Sequence, residues 1–476
     1  MIPRPRFHLT PERNWMNDPN GLVHVDGVWH AFFQHNPEGI DWGNMSWGHA
    51  SSVDLEHWRA HPVALRYDDR EQVYSGSVVV DDHGTLTAIY TSAYARGIQA
   101  QSLAVSDDGG ETWIPHSGNP VLDRRSSDFR DPKVVRVPSQ SGRERWVMVA
   151  VEAVERRVLF YASDDLRTWR ETGSFGPLGP DGVVWECPDL VLLPQDGDPA
   201  QTRWVLLLST NPVGTDPDPV GSMMHYVVGS FDGETFIPDR EELDRFDHGR
   251  DFYAGVTFDS APDGEAILLA WMSNWRYAHA VPAATWRGAM SLPRRLALRT
   301  VEGQPRMVQH PVASIEGHLS HATLRAPSEP ITLIPHALIE VGWTSLPAGG
   351  VLLRLTGDGD ENVHIVCDPA NAKLTVTRGG TAARALHTDF PSSSGAPLRR
   401  SPGEGRLFVS LDGPLLEVFA DGGETTVSIL VTLEGESITL TAHADVPGAL
   451  DSLTLRVAEV GARQDAIEPG IVTARA

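Results

Sequence analysis

Ser106-Asp107-Asp108-Gly109-Gly110-Glu111-Thr112-Trp113, written SDDGGETW, decides the fold because it is not alone. The same order of serine, aspartate, turn and aromatic returns as SVDLEHW at 52–58, SDDLRTW at 163–169 and SFDGETF at 230–236. The four serines lie 54, 57 and 67 residues apart, the length of a four-stranded antiparallel unit and too long for a helical hairpin repeat. Apolar β runs accompany the copies, among them Gln101 to Val105, Val158 to Ala162 and Tyr226 to Gly229. One copy alone would be a hairpin turn that aspartate caps and tryptophan covers. Four at near-equal spacing predict radially arranged four-stranded sheets, and residues 1 to about 300 have room for five blades of roughly 60 residues, a β-propeller.

A second set of segments keeps the same phase. Asp18 in NDPN, Ser75 in YSGS, Asp131 in FRDP, Glu186 in ECPD and Tyr253 in DFYAG recur at blade spacing, and each precedes an apolar β run. Each is therefore expected to open the innermost strand of its blade, so that all five converge on one end of the central channel. After about residue 320 the pattern changes to extended segments such as Gly350 to Leu355 and Arg406 to Leu411. Asp421-Gly422-Gly423 reads as a hairpin between Leu415 to Phe419 and Thr425 to Leu430. Regular turns and alternation predict an antiparallel β-sandwich without clustered acids, in a packing role. The expected organisation is all-β: a five-bladed propeller at 1–310, a linker at 311–325 and a sandwich at 326–476.

A formal charge of −24 disfavours nucleic acid and anionic membrane as partners and suits a neutral ligand. Cys187 and Cys367, in unlike contexts, support neither a disulfide nor a cysteine metal site. The first thirty residues lack the basic and apolar regions of a secretory signal, which points to the cytoplasm unless a leader once preceded them. Walker, HExxH, CxxC pair and GxSxG motifs are absent from the sequence.

Three acids at the expected channel mouth have unlike neighbours, as glycosidic bond cleavage requires of its two carboxyls. Glu186 stands between Trp185 and Cys187-Pro188, apolar neighbours expected to keep it protonated as a general acid. Asp18, among asparagines and the donors of a turn, is expected to be an anion. Asp131 follows Arg130, whose guanidinium is expected to hold it ionised for binding rather than proton transfer. Trp42 and Trp47, in one loop of small residues, are the tryptophans best placed to stack on sugar. His8 reads as a hydrogen-bonding support.

Taken in order, NDPNG at 17–21, WGNMSWGHA at 42–50, YSGS at 74–77, FRDPKV at 129–134 and WECPDL at 185–190 resemble glycoside hydrolase family 32. This is the family of β-fructofuranosidases, levanases and inulinases, and LLEVFADGGETTVSILV at 415–431 extends the resemblance into the sandwich. It implies Asp18 as nucleophile on C2 of a β-D-fructofuranosyl unit, Glu186 as general acid then base, and Asp131 as transition-state stabiliser. Asn17, Gln34, Trp42, Ser75 and Arg130 match positions lining the fructose pocket, and either Trp271 or Trp275 walls it. The resemblance implies no metal and no cofactor, and a retaining hydrolase of sucrose, fructooligosaccharides, levan or inulin. The alternatives are a fructosyltransferase using the same intermediate and a non-catalytic sugar-binding propeller. SDDGGETW also fits the Asp-box turn of sialidase-type propellers, but a sialidase needs three converging arginines and only Arg130 is so placed. A second copy, meeting the site through the sandwich edge, is the one protein partner this reading admits.

Overall fold

The computed structural model describes residues 3–138, 144–213, 220–282, 285–344, 350–398, 404–444 and 449–461. Blade 1 is built on the inner strand Asn14–Val25, blade 2 on Glu71–Val80, blade 3 on Phe129–Pro138, blade 4 on Val183–Gln195 and blade 5 on Tyr253–Thr257. Each inner strand pairs antiparallel with the strand that follows it, and successive strands step outward. The repeated serine–aspartate motif is the turn between the third and fourth strands of blades 1 to 4. At 163–169 the Ser163 hydroxyl accepts the Leu166 amide (2.9 Å), and Asp165 accepts those of Arg167 (2.8 Å) and Thr168 (2.7 Å). Asp54 and Asp232 make the same two bonds in their copies. Side chains that cap a turn locally make it independent of blade context, which is why it repeats so legibly.

The ring closes between blades 5 and 1, where Trp286–Arg287 pairs parallel with Asn14 and Trp15. The approach is tight: a Cβ on Gly288, whose φ is +97°, would lie 2.0 Å from the Met16 carbonyl oxygen. Blades 4 and 5 share one parallel backbone pairing, Gln195 with Leu298, and pack through a common apolar core that includes Leu207, Met224, Leu268 and Leu296. Separate apolar cores fill the spaces between blades, for example Trp185, Phe160 and Leu206 between blades 3 and 4.

Beyond the last propeller strand, Gln304–Pro311, the chain forms the short helix Ala313–Gly317 and a turn of 3-10 helix. Thr323–Arg325 then pairs with Leu453–Glu459, so the first sandwich strand starts inside the segment read from sequence as linker. Two six-stranded antiparallel sheets enclose a core of residues such as Leu355, Ile365, Val409 and Ile429. Residues 462–476, the end of the predicted sandwich, lie outside the described residues.

The sandwich does more than pack. Its acids Asp412 and Glu417 are isolated in sequence yet buried together against the propeller, contrary to the expectation of a sandwich without clustered acids. His8 bridges them, with Nδ1 2.8 Å from Asp412 and Nε2 2.9 Å from Glu417. Arg294, itself buried, donates to Asp247 (2.9 Å) and to Glu417. Nearby, Arg378 of the sandwich binds Asp251 and the Tyr277 hydroxyl of the propeller. Burial alone would lower the His8 pKa, but hydrogen bonds and charge from Asp412 and Glu417 outweigh it and push His8 up to about 9. A raised histidine value means the stabilisation is complete below pH 6.5 and is lost as pH rises through about 9. The melting temperature should therefore fall between those values, and in His8→Gln that slope should flatten, as calorimetry against pH would read.

Candidate active site

All five inner strands carry the same irregularity at the same height. Arg130 pairs with Val151 and Lys133 with Val149; Glu186 with Ser209 and Asp189 with Leu207; Tyr253 with Trp271 and Val256 with Leu269. Blade 1 shifts likewise between Met16 and Pro19, and blade 2 between Tyr74 and Gly76. In each blade one extra residue is inserted on the inner strand, a β-bulge, and it falls on the polar segment. The bulges leave unpaired Asn17 and Asp18, Ser75, Asp131 and Pro132, Cys187 and Pro188, and Ala254 and Gly255. Asp131, Cys187 and Ala254 have φ of +61°, +48° and +56°, a left-handed conformation that strains non-glycine residues and recurs at functional sites. NDPN is thus a bulged strand and not a turn. Turn-forming residues mark it because a bulge needs the same backbone freedom as a turn.

The bulges turn the side chains into one cavity of about 350 Å³, lined by Asn17, Asp18, Gln34, Trp42, Tyr74, Ser75, Gln99, Arg130, Asp131, Glu186, Asn211 and Trp275. Nine of the ten residues assigned to the pocket from sequence are among them. The exception is Trp271, which is buried, packs 4.8 Å behind Trp275 and lines a separate apolar cavity at the junction with the sandwich. Trp275 is the wall, and Trp15, 6.0 Å from both Trp275 and Trp271, completes the aromatic cluster that supports it. Two residues beyond the bulges, Lys133 of blade 3 reaches Asp189 of blade 4 (3.4 Å) and the Thr257 carbonyl of blade 5. This buried pair plugs the channel beneath the carboxyls and makes the cavity blind.

The electrostatics differ from the sequence expectation in three places. Glu186 is not in an apolar setting: Arg130 donates to its Oε1 (3.1 Å) and the Tyr253 hydroxyl to its Oε2. Successive side chains of a strand point to opposite faces, so Trp185 is sunk in the core between blades 3 and 4 while Glu186 looks into the cavity. Asp18 takes the desolvated position instead. Its Oδ1 is buried without a hydrogen-bond partner among the described residues, and its Oδ2 meets the Cys187 thiol at 3.6 Å. Loss of water, then the charge of Glu186, push Asp18 up to about 7. Asp131 accepts the Cys187 amide (2.9 Å) and lies 3.8 Å from Arg130, but burial outweighs that guanidinium and pushes it up to about 6. Among the described residues Arg130 is the cation that faces these three carboxyls, which leaves the cluster short of positive charge.

The remaining lining residues are held firmly. Asn17 accepts the Trp15 indole N–H (2.6 Å), Gln34 donates to the Val73 carbonyl (3.1 Å), and Trp42 stands exposed at the rim, edge-on to Tyr74 at 6.2 Å. Sequence reading missed Tyr74, Gln99, Asn211 and the Cys187 contacts. Tyr74 and Cys187 adjoin quoted motifs, so their phase was a usable signal, whereas Gln99 and Asn211 sit on second or third strands and carry none.

Two family models cover nearly the whole chain: the glycosyl hydrolases family 32 N-terminal domain over residues 8–311 and the family 32 C-terminal domain over 322–457. The chain belongs to glycosyl hydrolases family 32. Among relatives of this family 32 enzyme, the levanase of Bacillus subtilis (strain 168) is 38% identical over 95% of the chain and 70% of its own length. The extracellular exo-inulinase of Aspergillus ficuum is 33% identical over 91% of the chain and 90% of its own length. The β-fructofuranosidase of Schwanniomyces occidentalis, solved with fructosyl-erythritol, superposes with a TM-score of 0.85 at 28% identity, covering 96% of this chain and 98% of that one. Like them the chain is a glycoside hydrolase, a propeller followed by a sandwich. Among the described residues no helix is long and apolar enough to cross a membrane.

Proposed function

We propose that this glycoside hydrolase removes terminal β-D-fructofuranosyl units from sucrose, fructooligosaccharides or fructans with retention of configuration. The observation that carries the reading is the blind cavity in which Asp18, with an unpartnered oxygen, faces Glu186, held by Arg130 and Tyr253. A closed floor suits a terminal unit and excludes the middle of a chain. Asp18 attacks C2 of the fructosyl ring while Glu186 gives its proton to the leaving oxygen, so the C2–O bond breaks and a C2–Asp18 ester forms. Glu186, now a carboxylate, takes a proton from water as the water oxygen attacks C2 and Asp18 departs. Asp131 and Asn17 accept and donate hydrogen bonds to ring hydroxyls, and Trp275 faces the apolar side of the sugar. Retention calls for the two carboxyls roughly 5–5.5 Å apart, and the contact of Cys187, Glu186's neighbour, with Asp18 supports that proximity.

The chemistry belongs to the propeller, whose last strand is Gln304–Pro311; a short helical segment leads into the sandwich, which begins with the strand Thr323–Arg325 and holds the propeller through its buried charges. An extracellular setting goes with polymeric fructans, which do not cross a membrane, and a cytoplasmic one with sucrose. Product analysis with sucrose, raffinose, inulin and levan tests the assignment. Free fructose should be the first product from the two polymers, and trapping with methanol should yield methyl β-fructofuranoside. An α product would overturn retention, and the absence of fructose from every substrate would overturn the assignment. Free fructose measured against longer oligomers at high sucrose separates hydrolysis from transfer.

A further inference from the structure

The cavity does not end at its rim. Tyr74 and Gln99 are shared with an adjoining groove of about 570 Å³ that runs between blades 1 and 2. One wall is the segment from Tyr67 to Gln72; the other is the hairpin from Ala93 to Gln99. The walls are tied together before any ligand arrives. The Ala95 amide donates to the Arg70 carbonyl (2.8 Å), Gly97 N–H closes the hairpin on the Tyr94 carbonyl (2.8 Å), and the Asp68 amide binds the Glu71 carbonyl (3.0 Å).

We infer that this groove holds the leaving-group side of the substrate beyond its first unit, and that it makes the enzyme prefer chains of three or more sugars. The inference rests on the reading of the site given above. A fructosyl ring at the blind end must extend its glycosidic oxygen toward the mouth, and Tyr74 marks where the mouth becomes the groove. Clefts of ~300–1,000 Å³ hold a drug-sized ligand, so the groove has room for more than one sugar ring. Its chemistry selects a neutral polyol. Tyr67 and Tyr94 each carry a guanidinium over the ring, from Arg66 at 5.7 Å and Arg96 at 4.9 Å, which fixes the rings as flat platforms. Asp69 and Glu71 add carboxylates that accept hydroxyl hydrogens and repel anions, while Asp68 is taken up by the Arg70 guanidinium and the amides of its own turn. A disaccharide places one unit outside the blind end and does not reach Tyr94.

The test uses the full chain and the ratio of kcat/KM for a fructan oligosaccharide of four units to that for sucrose, with β-2,1 and β-2,6 linkages assayed separately. Tyr94→Ala removes a platform, and Ala95→Trp, at an exposed position, fills the groove without touching the acids. The ratio should fall about tenfold, the size of one good aromatic contact. A drop of fivefold or more for either linkage in either variant supports the groove; unmoved ratios in both variants overturn it. If the unmodified chain frees fructose from none of the substrates, the reading of the site fails first. With that activity present, unmoved ratios remove the groove alone.

Discussion

Asp18→Asn should reduce kcat by about four orders of magnitude or more, because an amide oxygen cannot form the ester to C2 and the second step has nothing to hydrolyse. The amide has the carboxyl's shape, so the cavity is preserved. The same substitution should stabilise the protein at alkaline pH. Asp18 is pushed up from 3.8 to about 7, so the folded state binds its proton more tightly than the unfolded chain. Holding it ionised therefore costs stability above pH 7, and the cost fades as pH falls from about 7 toward 3.8. Asparagine removes a cost of about 2 kcal/mol at pH 8, a figure discounted because the carboxyl is partly open to the cavity. Turnover of sucrose and melting curves at pH 8 and pH 4 read both effects. Substantial residual turnover in a folded variant would remove Asp18 from the nucleophile's role.

Glu186→Gln should cost about 10²- to 10⁴-fold, the usual worth of a positioned general acid, and the loss should depend on the leaving group. Glutamine keeps an oxygen for Arg130 and an amide for Tyr253, so the cavity's shape survives while the transferable proton is gone. Sucrose, whose leaving oxygen needs that proton, should suffer most. Fructosyl fluoride, whose leaving group departs without protonation, should form the covalent intermediate at close to the normal rate. A burst of fluoride followed by slow turnover is the expected trace; equal losses on both substrates would deny Glu186 the acid's part.

The blade count was legible because the Ser–Asp turn is a local structure: Ser163 and Asp165 satisfy amides within five residues, so its sequence survives in every copy. The convergence of the acids was legible from phase for the same reason. The bulges were not, since Pro, Gly and Asp satisfy a turn and a bulge equally well and only the partner strand distinguishes them. Glu186's surroundings were misread from its neighbours in sequence, because Trp185 belongs to the opposite face; its real neighbours, Arg130 and Tyr253, come from other blades. Trp271 and Trp275 were indistinguishable until the strand ended at Trp271 and the following turn carried Trp275 over the cavity. The charges joining propeller to sandwich were invisible, as Asp247, Arg294 and Glu417 lie far apart in the chain with nothing local to mark them.

That junction bears on how such a chain can be rearranged. A propeller and a sandwich in succession suggest interchangeable modules, yet His8 meets its counter-charges across the seam, in Asp412 and Glu417, and Arg294 divides its charge between Asp247 of the propeller and Glu417 of the sandwich. A foreign sandwich without those two acids would strip His8 of both its partners and leave Arg294 with Asp247 alone, a loss of about 3–5 kcal/mol for each broken buried pair. Grafting is therefore restricted to donors that bring the matching acids. The two halves are thus matched to each other by buried charge as well as linked by the short stretch of backbone between them.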